Sequence, residues 1–290
     1  MSEFLQFLVT GTTLGATYAL VALGFSIIYS ASGVINFAQG EFVMLGGMSA
    51  VFMLSAGLPL PLALLGGVAA GGLAGMALYK LGIQPARGAG VLPQIIVTIG
   101  AGLVLRGVVQ VVWGKDYHKL PGFSGEEPIT LLGAVIMPQS LWVGGVTLAV
   151  VAALAMFFRH TRLGKAILAT SYNRDAARLM GINTEFTMLV SFGLAGLLGA
   201  VAGVIIAPIT FTYYEVGIML GLKGFVASVL GGLGSFVGAI VGALVLGVTE
   251  AMMSGYVSSE YKDAVAFVLV LLILILMPNG LLGRRGTERV

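Results

Sequence analysis

Apolar residues run along this chain in blocks of about twenty, with polar residues gathered into the gaps between them. Blocks at about 4–30, 41–57, 59–79, 92–113, 139–158, 186–212, 235–254 and 263–282 match the length of a bilayer-crossing helix. A shorter one lies near 216–231. The breaks fall where backbone-directing residues cluster: Gly57-Leu-Pro59, the stretch 82–93, the loop 114–138 and Gly231-Gly-Leu-Gly234. The pattern predicts an all-α, polytopic membrane bundle of about eight or nine transmembrane helices, the count depending on whether 216–231 spans or re-enters.

Composition agrees with that class. Hydrophobic residues make up 58% of the 290 residues and charged residues 9%, and mean hydropathy is +1.03. A net charge of +3 is too small to argue for nucleic acid, so the basic residues matter through their positions. With no cysteine, disulfides and thiolate metal sites are excluded, and His118 and His160 lie in separate loops. The first apolar run lacks a basic region ahead of it and is too long for a cleaved signal, so it reads as the first membrane helix.

Ten of the fifteen basic residues fall in three segments: Lys80 and Arg87; Arg159, Arg162, Lys165, Arg174 and Arg178; and Arg284, Arg285 and Arg289. An even number of crossings separates these segments, and the positive-inside rule makes their common face cytoplasmic. The other face holds Glu3, Asp116, Glu126, Glu127, Glu215, Glu260 and Asp263 against Lys115, Lys119 and Lys262. The amino terminus is therefore expected outside and the carboxyl terminus inside. Glycines at four-residue spacing (67, 71, 75; 199, 203; 234, 238, 242) mark faces for close helix packing. Residues 40–47 (GEFVMLGG) and 224–232 (GFVASVLGG) echo each other in opposite expected directions, as an inverted repeat requires; chance similarity in Gly-rich apolar sequence is the alternative.

The basic island 159–185 is the segment with most to say about function. Arg159 to Lys165 form a snorkelling collar. Residues 166–180 form a helical run with small apolar surface from Ala176, Ala177, Leu179 and Met180, a polar side of Asn173, Arg174, Asp175 and Arg178, and Gly181 as its C-cap. Such a helix suits docking into a groove on a soluble subunit; a solvated loop helix is the alternative.

NRDAARLMGIN at 173–183, followed by a long apolar helix, resembles the cytoplasmic coupling segment of permease subunits of ABC importers for branched-chain amino acids, the LivH and LivM type. Residues 33–46, with Asn36-Phe-Ala-Gln-Gly-Glu41, are similar to that family's N-F-A-H-G-E segment, and 15–24 and 221–235 also look like family features. The chain departs from the pattern at Gln39, where the family usually has His, so an imidazole-dependent role is absent there. The resemblance spans residues 11 to about 250 and implies a single transmembrane permease domain over 1–290. It implies no catalysis or cofactor of its own, two cytoplasmic ATPase subunits, an extracytoplasmic binding protein, and a second permease, more often a different chain than a second copy. It also implies residence in a bacterial cytoplasmic (inner) membrane.

Asn36, Gln39 and Glu41 sit between two spans near the inner side and, given the resemblance, are solute-path candidates; a helix N-cap with Glu41 at the positive helix end is the alternative. Arg106, inside an apolar span with Gln110 one turn away, is either a solute-path residue or half of an ion pair, with Glu250 as the plausible partner; Lys223 poses the same choice. The turn 231–235 lacks the Lys and strand of a phosphate loop and reads as a tight turn between spans. Taken together, the residues and the resemblance point to an ATP-driven importer subunit for a small hydrophobic amino acid. Related permeases for urea or short-chain amides, and a stand-alone secondary transporter, are the alternatives. The second needs mid-membrane titratable groups, which are few here.

Overall fold

The computed structural model describes residues 2–125, 127–131 and 134–283. Glu126 and the tail residues Arg284, Arg285 and Arg289 lie outside the described residues. Eleven helices are present among the described residues: α1 (Ser2–Ser32), α2 (Gln39–Ser55), α3 (Leu60–Ala77, continued as one π turn over Leu78–Ile83), α4 (Val91–Trp113), α5 (Pro138–His160), α6 (Arg162–Tyr172), α7 (Arg174–Leu179), α8 (Thr184–Thr210), α9 (Val216–Gly231), α10 (Phe236–Tyr256) and α11 (Lys262–Leu276). A 3₁₀ turn, Pro85–Ala89, precedes α4. The expected all-α bundle has one addition, a short antiparallel hairpin of β1 (Ile129–Leu131) and β2 (Ala134–Ile136) in the 114–138 loop.

Among the described residues six helices are long and apolar enough to cross a membrane: α1, α3 with its π turn, α4, α5, α8 and α10. Helices α2, α9 and α11 are not among them. At 1.5 Å per residue, the 16 residues of α9 reach only about 24 Å, short of a hydrocarbon core of about 30 Å. The sequence blocks 41–57 and 216–231 are as long as the helices they form, α2 at 17 and α9 at 16 residues, and only 263–282 exceeds its helix, α11 at 15 residues.

Helices α1 and α8 form the centre, with 78% and 72% of their apolar windows buried, whereas α4 and α5, at 17% each, are peripheral. The helix pairings are symmetric under one exchange. Helix α1 packs on α10 as α8 packs on α3; α2 on α3 as α9 on α10; α2 on α8 as α9 on α1; and α2 on α4 as α9 on α11. The two halves are therefore structural repeats, with α1 to α4 answering α8 to α11. The register differs from the sequence echo: α2 and α9 meet by their N-terminal ends, where a methyl on Gly40 would strike the Gly217 carbonyl. Gly40 answers Gly217 and not Gly224.

Glycine decides how closely the inner helices approach. A Cβ on Gly203 of α8 would collide with the Val43 carbonyl of α2, and one on Gly71 of α3 would lie 2.8 Å from the Gly196 carbonyl of α8. The four-residue glycine spacing is packing surface, as expected. The 231–235 turn is also as expected, with Gly232 at φ 105° and Gly234 at φ 83°, and Ser235 accepting from the Gly238 amide to start α10.

Candidate functional site

The segment 33–38 leaves α1, turns back into the bundle and starts α2 at depth. Asn36 Oδ1 accepts from the Ala38 amide (3.1 Å), and the Phe37 amide donates to Thr98 Oγ1 of α4 (3.1 Å). Gln39 Nε2 donates to the Ala195 carbonyl (2.9 Å), in the middle stretch of α8, and lies against Gly24 of α1. Asn36, Gln39 and Glu41 are all buried. The group sits within the bundle, the chain folding back along α1 from Ser32 to the level of Gly24. Helix α2 has no side-chain cap, so Glu41 in its first turn is not an N-cap, although it does face the positive helix end.

Glu41 pairs with Arg106 of α4 through Oε1 and Nη2. The expected partner Glu250 is instead engaged elsewhere, since α10 belongs to the opposite repeat. Arg106 keeps 24% of its side chain exposed while Glu41 keeps 5%, so the pair opens toward the outside of the chain on the α4 side. Glu41 Oε2 and Arg106 Nε have no partner within the protein. Helix α4 shows apolar residues outward, Ile96, Val104, Val108 and Val111 among them, and Arg106 and Gln110 share one flank of it.

The second repeat also carries a charged cluster, further along its short helix. Lys223 of α9 binds Glu250 of α10 (2.6 Å) and Asp263 of α11 (2.6 Å), and the Tyr18 hydroxyl of α1 donates to the other Glu250 oxygen (3.0 Å). Lys223 and Glu250 are both buried, so the choice left open for Lys223 resolves to an ion pair. Both repeats thus tie their short helix to the outer helix by opposite charges, with the signs exchanged. Sequence reasoning placed Asp263 on a surface and passed over Tyr18; the family-like segment 15–24 containing Tyr18 was the available signal.

The helical run expected over 166–180 is divided between two helices, α6 and α7. Asn173 adopts an extended conformation (φ −157°), ends α6 and caps α7 by accepting from the Ala176 amide (2.9 Å). Gly181 closes α7 at φ 81°, with its amide on the Arg178 carbonyl and the Ile182 amide on the Ala177 carbonyl, the capping role expected of it. Ala177 is buried, Arg178 Nε donates to Thr184 Oγ1 (2.9 Å), and Leu179 and Met180 are 89% and 83% exposed. An Arg87–Glu185 ion pair (2.6 Å) holds the segment at the same end of the bundle as the 84–90 turn. Burial, then the nearby guanidiniums of Arg87 and Arg178, draw the pKa of Arg174 down, and its Nε and Nη2 have no partner in the chain. Asp175 and Ala176 leave the bundle surface free on that side, Ala176 being exposed. A cleft of about 750 Å³ separates α6 from the end of α1 and the 233–237 turn, with Arg174, Thr170 and Ser235 on its walls. No group of three or more potential metal ligands occurs among the described residues.

Comparison with known proteins adds lineage to this geometry. The family described as branched-chain amino acid transport system / permease component matches residues 7–274. The high-affinity branched-chain amino acid transport system permease protein LivH of Salmonella typhimurium is 35% identical over 99% of this chain and 98% of its own length. The corresponding protein BraD of Pseudomonas aeruginosa is 34% identical over the same shares. Among solved structures, PsaBC from Streptococcus pneumoniae in complex with Fab has a TM-score of 0.50 at 16% identity, covering 95% of this chain and 92% of that one, which is a likeness of fold alone. With a multi-pass bundle in which two short helices meet, and a match running from residue 7 to 274, the chain belongs to the permease component family of branched-chain amino acid transport systems.

Proposed function

We propose that the chain is one transmembrane subunit of an ATP-driven importer for a small hydrophobic amino acid, a single permease domain with no catalytic chemistry of its own. Relatives named for high-affinity branched-chain amino acid transport support the solute class. The observation that carries the energy-coupling part is α7. It is a short helix closed at its ends by Asn173 and Gly181 and anchored by buried Ala177, yet it holds Leu179 and Met180 away from the bundle. Large apolar side chains held rigidly in the open mark a docking surface. Asn173 to Gly181 are then the lever on which a cytoplasmic ATPase subunit acts.

Sidedness is supported by which residues share an end. Lys80, Arg87, Arg159, Arg162, Lys165, Arg174 and Arg178 gather at the end bearing α6 and α7, which is cytoplasmic by the positive-inside rule. The far end joins the start of α1 to β2 through Gln6 and Val135 (2.9 Å), and 118 to 212 by two backbone bonds. The amino terminus is then outside, and the Leu281–Leu230 backbone bond (2.8 Å) brings the chain's last described turn to the inner end. Helices α2, α9 and α11 complete their crossings with extended chain, giving nine passes in a bacterial inner membrane. Two ATPase subunits, a binding protein outside and a second, different permease complete the assembly, and Asn36, Gln39, Glu41 and Arg106 lie along the solute path.

The test is affinity purification from native membranes followed by reconstitution. ATPase subunits and a second permease should co-purify, and proteoliposomes should take up leucine only with ATP and binding protein. Leu179→Glu, at a side chain that points away from the bundle, should abolish co-purification of the ATPase subunits while leaving the permease monodisperse. Gly181→Pro, incompatible with φ 81° and with the Gly181 amide bond, should uncouple ATP hydrolysis from uptake. Unaided uptake by the purified chain, or full coupling in both variants, would refute the assignment.

A further inference from the structure

We propose that Arg106 and Glu41 are the recognition pair for the two charges of an α-amino acid zwitterion, Arg106 taking the carboxylate and Glu41 the ammonium, with Phe37 and Phe225 as an aromatic floor on the cytoplasmic side. The proposal deepens the importer reading and rests on it.

Arg106 is an interior residue of the 23-residue helix α4, whose outward surface is otherwise apolar. A guanidinium at that depth is costly in lipid and normally faces a partner, a water-filled path or a counter-charge. Its exposed part is therefore directed at a path or the second permease, and Gln110 on the same flank gives that side further polarity.

The pair also has unused capacity. Glu41 is 4% exposed and its Oε2 has no protein partner, and Arg106 Nε has none either. A solute carboxylate can take the guanidinium fork while the solute ammonium donates to Glu41. The zwitterion brings both charges, so neither protein group is left uncompensated in a medium of low dielectric. The N-terminal ends of α2 and α9, which meet close to Glu41, add a positive potential that favours the carboxylate.

Lys223 and Glu250 provide the contrast. There the second carboxylate oxygen is occupied by Tyr18 and the pair is buried, so it fastens helices. Phe37, 42% exposed, touches Phe225 at 5.8 Å between ring centroids. Its amide is bound at Thr98, two turns before Arg106 on α4, or about 12 Å along the helix.

The experiment measures leucine uptake and ATP hydrolysis by the assembled complex in proteoliposomes, with saturating binding protein. Arg106→Lys keeps the charge pair but loses the planar fork, and Arg106→Gln with Glu41→Gln removes both charges and strands neither. Each should lower leucine uptake per ATP by about tenfold or more, the expected loss for a charge-assisted contact, while hydrolysis stimulated by the binding protein persists. Lys223→Met with Glu250→Gln should leave the ratio unchanged. Wild-type uptake per ATP in Arg106→Lys would overturn the proposal, whether or not the double variant assembles. So would a parallel loss of hydrolysis and uptake in Arg106→Lys, which is the mark of a residue that only positions helices. Uptake of urea or acetamide in place of leucine by the wild type would overturn it while leaving an importer. No ATP-dependent uptake of any solute would remove the importer reading itself.

Discussion

Replacing Lys223 with Met removes the cation that Glu250 and Asp263 share and leaves Glu250, 3% exposed, as a lone buried carboxylate. Breaking a buried pair from one side costs about 3–5 kcal/mol, because the remaining charge has lost both water and partner. Asp263, 39% exposed in its side chain, regains solvent and adds little. At about 2–4 °C per kcal/mol for a large domain, the loss amounts to roughly 6–20 °C in Tm. Adding Glu250→Gln should recover most of it, since a neutral amide still accepts from the Tyr18 hydroxyl and no charge is stranded. Fluorescence-detected thermal unfolding in detergent reads both. A Tm for Lys223→Met within about 2 °C of wild type, or a double variant no better than the single one, would refute the argument that burial makes this pair costly to break.

Tyr18→Phe removes one hydrogen bond to the same carboxylate and should cost about 1.5–3 kcal/mol in that assay; no loss would mean that Glu250 is satisfied without it. Gly203→Ala places a methyl against the Val43 carbonyl and should cost about 1–3 kcal/mol or more, whereas Gly100→Ala, with nothing near its added methyl, should gain about 1 kcal/mol from helix propensity. Equal effects of the two would remove the claim that close approach needs Gly203. Asn173→Ala deletes the acceptor of the Ala176 amide and should loosen the start of α7 by about 1 kcal/mol, read as roughly fivefold faster hydrogen exchange at that amide; an unchanged rate would mean that the side chain does not hold the helix start.

The membrane class, the helical fold and the family were legible in the sequence because they rest on block length, hydropathy and contiguous motifs. The cap at Gly181 was legible too, since glycine at φ 81° is local chemistry. The break at Asn173 was less so: a polar residue inside a helical run can continue the helix or cap the next one, and only the packing of Ala177 against the bundle selects the second. Partners of buried charges were not legible. Arg106 with Glu41 and Lys223 with Glu250 are separated by 65 and 27 residues, and hydropathy says only that a partner is needed.

Membership of the membrane class and the positions of the long apolar helices follow from residue order alone, because they reflect the transfer of each segment out of water. That α2 and α9 begin inside the bundle, that their N-terminal ends meet at Gly40 and Gly217, and that the Glu41–Arg106 pair is partly exposed while Lys223–Glu250 is buried emerged only from the folded arrangement. Those outcomes depend on contacts between distant segments, and the free energy of such contacts is set by shape and burial that no single stretch of chain contains.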